Sequence, residues 1–116
     1  MKSGKIWGTT EDLFNKNNVE FHRIEAKKGG YSSKHKHVNK HNAFYVERGK
    51  LKITVWKGDY DLVDETIIET GEMTSVKPDD FHKFEALEDT VAYEIYWTEL
   101  HTGDIIREDC GGINTD

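Results

Sequence analysis

The chain contains 116 residues, of which 35% are hydrophobic and 33% are charged, and its formal net charge at pH 7 is −6. This length suits one domain with one core. The acidic balance argues against a nucleic-acid partner, because neutralisation of phosphates by basic residues supplies most of that affinity. No stretch approaches the ~20 apolar residues that a membrane span needs, so we expect no membrane partner either.

The cysteine content bears on the compartment. The single cysteine, Cys110, has no second cysteine with which to form an internal disulfide. Residues 1–10 contain no apolar run of the kind that directs export. We therefore expect a cytoplasmic protein, since a reducing compartment is the simplest setting for such a chain.

The charges are unevenly distributed along the chain. Residues 27–52 contain eight lysines and arginines and one acidic residue, whereas residues 59–116 contain seventeen acidic residues and three basic ones. We expect the basic segment to be a solvated strand surface. Local attraction of a small anion is the alternative interpretation.

Short apolar or alternating segments separated by turn signals run through most of the chain, which is typical of an all-β sandwich or barrel. Residues 10–15 are the exception and favour a short helix, with Thr10 as its N-cap. Residues 82–87 and 91–99 are expected to form a hairpin. We predict one domain over residues 1–116, with 1–18 as a lead-in segment and 111–116 as a loose tail. The predicted strands are 19–26, 44–46, 51–56, 62–69, 73–76, 82–87 and 91–99.

Two histidine segments are candidates for a metal site. His35 and His37 are two residues apart, so on an extended strand their side chains share a face. His82 begins a different predicted strand and can supply a third ring nitrogen. The alternative is that these histidines are ordinary surface residues among lysines, since isolated motifs of this kind are often fortuitous.

Other side chains near these histidines are weighed by strand parity. Asn42, Phe44 and Val46 are expected to face inward, which places His41 on the outward face and makes it only an alternative ligand. His22 and His101 have no same-face histidine and are expected to be ordinary strand-surface residues.

The spacing of these residues resembles the first motif of the cupin family. That motif is a glycine, five residues, H-x-H, four residues, a glutamate, six residues and a glycine. Gly29, His35, His37 and Gly49 match it, and Asn42 occupies the glutamate position. Asn42 is thereby a weak, neutral candidate ligand.

The second cupin motif is matched less completely. Gly71 and His82 are in register, while Lys77, Asp79 and Ala86 occupy the proline, glycine and asparagine positions. The resemblance implies a single-domain cupin, which is an all-β, double-stranded β-helix or jelly-roll barrel. It also implies a homodimer.

A narrower resemblance extends over nearly the whole chain. Trp7 and Gly8 near the start are similar to the cupin domain of mannose-6-phosphate isomerases of the type fused to mannose-1-phosphate guanylyltransferase. The end of the chain follows the family's final segment with a shortened spacer, and Gly112 stands where that segment has its last arginine. This resemblance implies a metal role for His35, His37 and His82 and a catalytic or substrate role for Arg107. The matching residues at the end are Gly103, Asp104, Ile105, Arg107 and Asp109.

One divalent ion is the predicted cofactor. Neutral imidazoles suit zinc, nickel, iron or copper better than magnesium or calcium. Zinc, iron, manganese and nickel all remain open. With Asn42 in place of glutamate the ion keeps more net positive charge, which makes it a stronger Lewis acid.

Three functions remain open. The first is a metal-dependent sugar or sugar-phosphate isomerase, in which Arg107 with Lys36 or Lys83 anchors a phosphate. The second is a metal-dependent dioxygenase, and the third is a non-catalytic module that binds a sugar or a metal. No base for isomerisation stands out, since Glu94 and Glu99 are expected to be solvent-facing strand acids.

Overall fold

The computed structural model describes residues 2–57, 62–98 and 110–114, and it is built from antiparallel strands. No helix occurs in these ranges, and therefore none that is long and apolar enough to cross a membrane. Residues 110–114 form neither strand nor helix. The strands are β1 (Lys2–Lys5), β2 (Gly8–Lys16), β3 (Val19–Ala26), β4 (His41–Arg48), β5 (Lys50–Lys57), β6 (Leu62–Glu69), β7 (Met73–Val76), β8 (Phe81–Ala86) and β9 (Thr90–Trp97).

The strands form two sheets that enclose one core. The larger sheet has the order β1-β2-β3-β9-β4-β7, and the smaller has the order β6-β5-β8. Alternate side chains of both sheets point into the space between them, as expected for sheets that bury one face. The buried cluster consists of Ile24, Ala26, Phe44, Val46, Leu51, Ile53, Ile68, Val76, Phe84, Ala86 and Ala92.

Strand β4 shows the predicted parity. Asn42, Phe44 and Val46 are each no more than 1% exposed, whereas Tyr45 is 39% exposed. The inward direction of Asn42, Phe44 and Val46 is thus confirmed. Burying a side chain the size of Phe44 stabilises the fold by about 1.5–3 kcal/mol, so this face fixes the register of β4.

The helix predicted for residues 10–15 is wrong, because these residues lie in β2. A helix of six residues has too few hydrogen bonds to overcome its nucleation cost. Instead β2 pairs with β3 from Gly8 opposite Ala26 to Lys16 opposite Val19, with a bulge near Leu13. Strands β1 and β2 therefore occupy most of the segment that was expected to lead into the domain.

The hairpin predicted for residues 82–87 and 91–99 is also wrong. Strand β8 pairs with β5 in the smaller sheet, while β9 pairs with β3 and β4 in the larger one. The turn at Glu88 and Asp89 therefore carries the chain from one sheet to the other. Local alternation indicates that two strands exist but does not indicate which sheet each one joins.

The segment between β3 and β4 runs along the free edge of β8. The Gly29 N–H donates to the Ala86 carbonyl at 2.8 Å, and the Ser32 N–H donates to the Phe84 carbonyl at 3.0 Å. Isolated bridges join Tyr31 to Glu85 and His35 to His82. This edge segment brings the first histidine motif beside the second.

Candidate metal centre

Three histidines meet at one end of the space between the sheets. One ligand atom from each of His35, His37 and His82 lies within 4.8 Å of the other two. The ring centroids are 5.1 Å apart for His35 and His37, and 4.6 Å apart for His35 and His82. His82 comes from β8, and the other two come from the edge segment beside it. The sequence motifs therefore identify side chains that the fold brings together.

His35 and His82 are held in register by their own backbones. The His35 N–H donates to the His82 carbonyl at 3.0 Å, and the His82 N–H donates to the His35 carbonyl at 2.8 Å. These paired bonds form one rung of an antiparallel ladder, in which opposite side chains lie on the same face. His35 is paired through this isolated bridge alone and is not part of a continuous strand.

Backbone carbonyls fix the ring orientation of two histidines. His35 Nδ1 lies 2.8 Å from the Ser33 carbonyl, and His82 Nδ1 lies 3.1 Å from the Asp80 carbonyl. A carbonyl only accepts hydrogen bonds, so each Nδ1 carries the proton. Each Nε2 is then left with a lone pair, as in metal-binding histidines whose other nitrogen donates to a carbonyl.

His37 has a ring nitrogen that lacks a hydrogen-bond partner among the described residues. This nitrogen is the buried Nε2. Burial lowers the pKa of His37, and the positive charges that His35 and His82 would carry lower it further. Burial also lowers the pKa of His82. Both rings therefore favour the neutral form, which is the form that binds a metal.

Asn42 completes the inner surface of the cluster. Its Oδ1 lies 3.1 Å from His82 Nε2, although the Nδ1 proton of His82 already points to Asp80. In neutral His82 this contact joins two lone pairs, which repel each other unless a cation lies against both. Ligand atoms about 2.1 Å from a common ion lie about 3–3.5 Å apart. The residues present thus fit a divalent ion.

The structure adds a functional group that sequence reasoning missed. Glu94 on β9 is only 9% exposed and lies inside the barrel, so the expectation that it faces solvent is wrong. The Tyr96 hydroxyl donates to Glu94 Oε2, while the Asn42 Nδ2 donates to the Ala43 carbonyl at 3.3 Å. Burial raises the pKa of Glu94, an effect that the hydrogen bond from Tyr96 and the nearby Asn42 amide oppose.

The register of β9 explains this inward placement. Glu94 pairs with Phe44, an inward residue, in the ladder between β4 and β9. Its same-face neighbours are Ala92, which is fully buried, and Tyr96, whose ring lies 5.0 Å from that of His37. The alternation of Ala92, Glu94 and Tyr96 was the available signal, but a general preference of acids for solvent outweighed it.

A cavity of about 880 Å³ opens beside the cluster, and His35, Glu94 and Tyr96 line it. Trp7 and Phe84 form one wall, with their rings in edge contact at 5.0 Å. Such a volume is typical of small-molecule sites.

His22, which was expected on the strand surface, also lines this cavity. Its ring lies 5.7 Å from that of Tyr96. The expectation for His22 is therefore wrong. Its alternation with buried Ile24 and Ala26 on β3 was the available signal.

The remaining predicted residues lie elsewhere. His41 stacks on Trp97 with centroids 5.2 Å apart and is not among the three clustered histidines. Lys36 Nζ lies 3.1 Å from an Asp79 carboxylate oxygen, and Lys83 Nζ lies 5.6 Å from the Tyr31 ring centroid. Neither lysine lines the cavity. Arg107, Glu99 and His101 fall outside the described residues.

Comparison with known proteins gives a fold rather than a close relative. No protein-family model matches the chain, and no curated protein matches it. Among solved structures, KdgF from Halomonas sp. is 13% identical, with a TM-score of 0.72 over 86% of this chain and 89% of that one. An RmlC-like cupin from Shewanella frigidimarina is 16% identical, with a TM-score of 0.67 over 83% and 82%.

A larger protein shares the same architecture. Oxalate decarboxylase of Bacillus subtilis, which has Mn(II) centres, is 13% identical with a TM-score of 0.75. The match covers 90% of this chain but only 29% of that protein. These likenesses show a cupin-type jelly-roll fold, as the sequence motifs imply.

Proposed function

We propose that this cupin binds one divalent transition-metal ion and catalyses proton transfer within a small carbonyl compound, as in aldose–ketose isomerisation of a sugar or sugar phosphate. His35, His37 and His82 hold the ion, and Asn42 adds a weak neutral ligand. The observation that carries the proposal is the buried carboxyl group of Glu94 beside this histidine cluster. A metal site and a candidate base thus share one cavity.

The donor set favours zinc, iron, manganese or nickel. Imidazole nitrogens suit zinc, iron and nickel, and the amide oxygen of Asn42 suits manganese, whereas magnesium and calcium prefer an all-oxygen site. The Mn(II) centres of the oxalate decarboxylase with this fold agree with such a range. An ion held here would polarise a carbonyl group of the ligand.

Glu94 supplies the proton transfer. Isomerisation removes a proton from one carbon and returns one to the adjacent carbon, so a single carboxylate can perform both steps. The Tyr96 hydroxyl holds this carboxyl group by a hydrogen bond to Oε2. Its raised pKa makes it a stronger base than a solvated glutamate once ionised. Aldose–ketose isomerisation always requires a base to remove the carbon-bound proton, so a buried carboxyl group at this position favours isomerisation.

The metal site is tested by elemental analysis of protein purified without an affinity tag. We expect about one equivalent of a transition metal in the wild type and little in His37→Ala. His41→Ala is the matched control, because His41 lies outside the cluster, and it should retain the ion. Loss of metal from both variants, or from neither, would contradict the assignment.

The reaction is tested separately with Glu94→Gln, which keeps the shape of the side chain but removes its basicity. We expect this variant to retain metal and to lose at least about 100-fold in the interconversion of mannose 6-phosphate and fructose 6-phosphate. A metal-loaded wild type without isomerase activity on phosphorylated or free sugars would refute the catalytic part. The metal site would then stand alone as that of a binding protein.

The proposed assembly is a homodimer formed through the outer face of the larger sheet. Aromatic rings cross this face, with Phe21 and Tyr93 centroids 5.4 Å apart and Tyr45 beside Tyr93 at 6.4 Å. Met73, paired with Tyr45, is 62% exposed. In sedimentation experiments Tyr45→Lys should shift the protein from dimer to monomer. Ile67→Lys, at an exposed position on the smaller sheet, should leave the mass unchanged.

A further inference from the structure

The mouth of the large cavity is positively charged although the chain as a whole carries a net charge of −6. Lys5, Lys27 and Lys28 all line it. Glu94, buried at the inner end, is the only carboxylate among the described residues that line the same cavity. The local charge at the entrance is therefore opposite in sign to that of the whole molecule.

Among the described residues, the side chains of Lys5, Lys27 and Lys28 have no carboxylate partner, a feature that they share with Lys2, Lys16, Lys34, Lys77 and Lys83. Within this group, they are the three that line the large cavity. Lys36, Lys40, Lys50, Lys52 and Lys57 each have a carboxylate oxygen within 4.0 Å. Within residues 2–57, 62–98 and 110–114, no such ion pair involves the three lysines at the mouth. Asp89 accepts a hydrogen bond from the backbone N–H of Lys28 at 2.9 Å, but it lines a neighbouring cavity.

Backbone contacts fix the turn that carries Lys27 and Lys28 against the turn that follows Lys5. The Lys27 N–H donates to the Trp7 carbonyl at 2.9 Å, which ties the chain after β3 to the turn between β1 and β2. The Gly30 N–H donates to the Lys27 carbonyl at 2.8 Å. A Cβ atom at Gly30 would lie 2.8 Å from Trp7 Cβ, so the two turns are packed as closely as a glycine allows. The three lysines thus project from a defined rim.

We propose that Lys5, Lys27 and Lys28 form an anion-binding rim that holds the phosphate or carboxylate group of a small ligand at the cavity mouth. Lysine ammonium groups bind such groups as point charges, and a concave wall strengthens their field. The volume of about 880 Å³ has room for a ligand the size of a hexose phosphate. The inner end of the ligand then reaches His35 and Glu94.

This assignment deepens the proposed function by naming the ligand class, and only the placement of the ligand's inner end rests on that function. Anion binding at the rim requires neither a metal nor turnover. It also replaces Lys36 and Lys83 as anchors, since those side chains lie outside the cavity.

The test measures ligand binding by calorimetry, with Trp7 fluorescence as a second readout because this ring lines the cavity. The probes are glucose 6-phosphate, glucuronate and uncharged glucose, each titrated into chelator-treated and metal-loaded protein. We expect at least one of the two anionic probes to bind at least ten-fold more tightly than glucose in both preparations. Whichever anionic probe binds identifies the group as phosphate or carboxylate.

The decisive variants carry equal charge changes. The double variant Lys27→Gln and Lys28→Gln should weaken binding of the anionic probe at least ten-fold and leave glucose binding unchanged. The matched double variant Lys36→Gln and Lys83→Gln should change the affinity for the anionic probe less than two-fold. If both double variants weakened anion binding equally, or if the wild type bound neither anionic probe more tightly than glucose, the proposal of an anion-binding rim would be overturned. Anion binding in both preparations, together with no isomerase activity in the metal-loaded protein, would instead overturn only the proposed function.

Discussion

At the scale of single residues, the buried carboxyl group of Glu94 explains why position 42 holds an asparagine rather than a glutamate. Asn42 presents Oδ1 to His82 and donates from Nδ2 to the Ala43 carbonyl at 3.3 Å, and its amide also lowers the pKa of Glu94. A glutamate at position 42 would place a second carboxylate against the buried Glu94, where two like charges in a poorly solvated space repel each other. An amide avoids this repulsion and still offers an oxygen atom to the ion. The departure from the cupin motif is thus consistent with a working site.

The first prediction follows from this pair. Asn42→Asp should lower the stability of the metal-free protein by about 1–3 kcal/mol, because the Ala43 carbonyl loses a hydrogen-bond donor and the buried Glu94 gains a negative neighbour. The same change should increase the stabilisation that added metal produces, since a carboxylate attracts the ion more strongly. Thermal unfolding with and without the ion measures both effects. Asn42→Ala, the control, should reduce both quantities.

A second prediction concerns acid sensitivity. Burial lowers the pKa values of His37 and His82 in the folded protein, whereas an unfolded histidine titrates near about 6.5. The unfolded chain therefore binds protons first as the pH falls, and the stabilisation present above pH ~6.5 is lost below it. In chelator-treated protein the melting temperature should fall from pH 7 to pH 5. The fall should be shallower in His37→Gln than in His41→Gln; equal slopes would be inconsistent with a half-buried, neutral His37.

At the scale of elements, local pattern predicted most strands and little of their pairing. Strands β3, β6 and β7 have their predicted bounds, because alternating side chains and turn residues mark them directly. Strand β2 lacks that contrast, and its backbone bonds to β3 decide its conformation. The joining of β8 and β9 to different sheets likewise depends on contacts with β5 and β3. The histidine cluster was predictable because its ligands lie in spaced motifs, whereas the Glu94 site requires the register of two distant strands.

The third prediction concerns the turn between β4 and β5. Gly49 has φ of 108°, and a Cβ there would lie 2.5 Å from Thr90 Oγ1 and 2.6 Å from the Asp89 carbonyl oxygen. Gly49→Ala should therefore cost about 3 kcal/mol or more, from backbone strain together with the steric clash. Gly71 has φ of 84° but open space around its Cβ position. Gly71→Ala should cost only about 1–2 kcal/mol, and urea unfolding of both variants compares them.

At the scale of the whole molecule, ion binding should be visible as global stability. An ion present at 100 times its dissociation constant stabilises the folded state by about 2.7 kcal/mol. In a domain of this size that corresponds to roughly 10 °C in melting temperature. Chelation should lower the wild-type value by this amount and leave His37→Ala unchanged. An equal fall in the variant would show that the chelator acts elsewhere.

The whole-molecule charge also shows why the lysine rim was hard to predict. The sequence places Lys27 and Lys28 in a basic segment whose expected role was solvation, while Lys5 lies far from them along the chain. The turn contact between Lys27 and Trp7 brings the two regions to one cavity mouth. Composition records how many charges are present, but only the fold determines which of them face a ligand.

The paired backbone bonds between His35 and His82 have a consequence for the order of folding. Residues far apart in sequence must align before the nitrogen cluster exists, and pairing between such distant segments is entropically costly early in folding. The ion should therefore bind after the rate-limiting step. Added metal is then expected to slow unfolding while leaving the refolding rate almost unchanged. The ion therefore stabilises the folded barrel but does not assist its assembly.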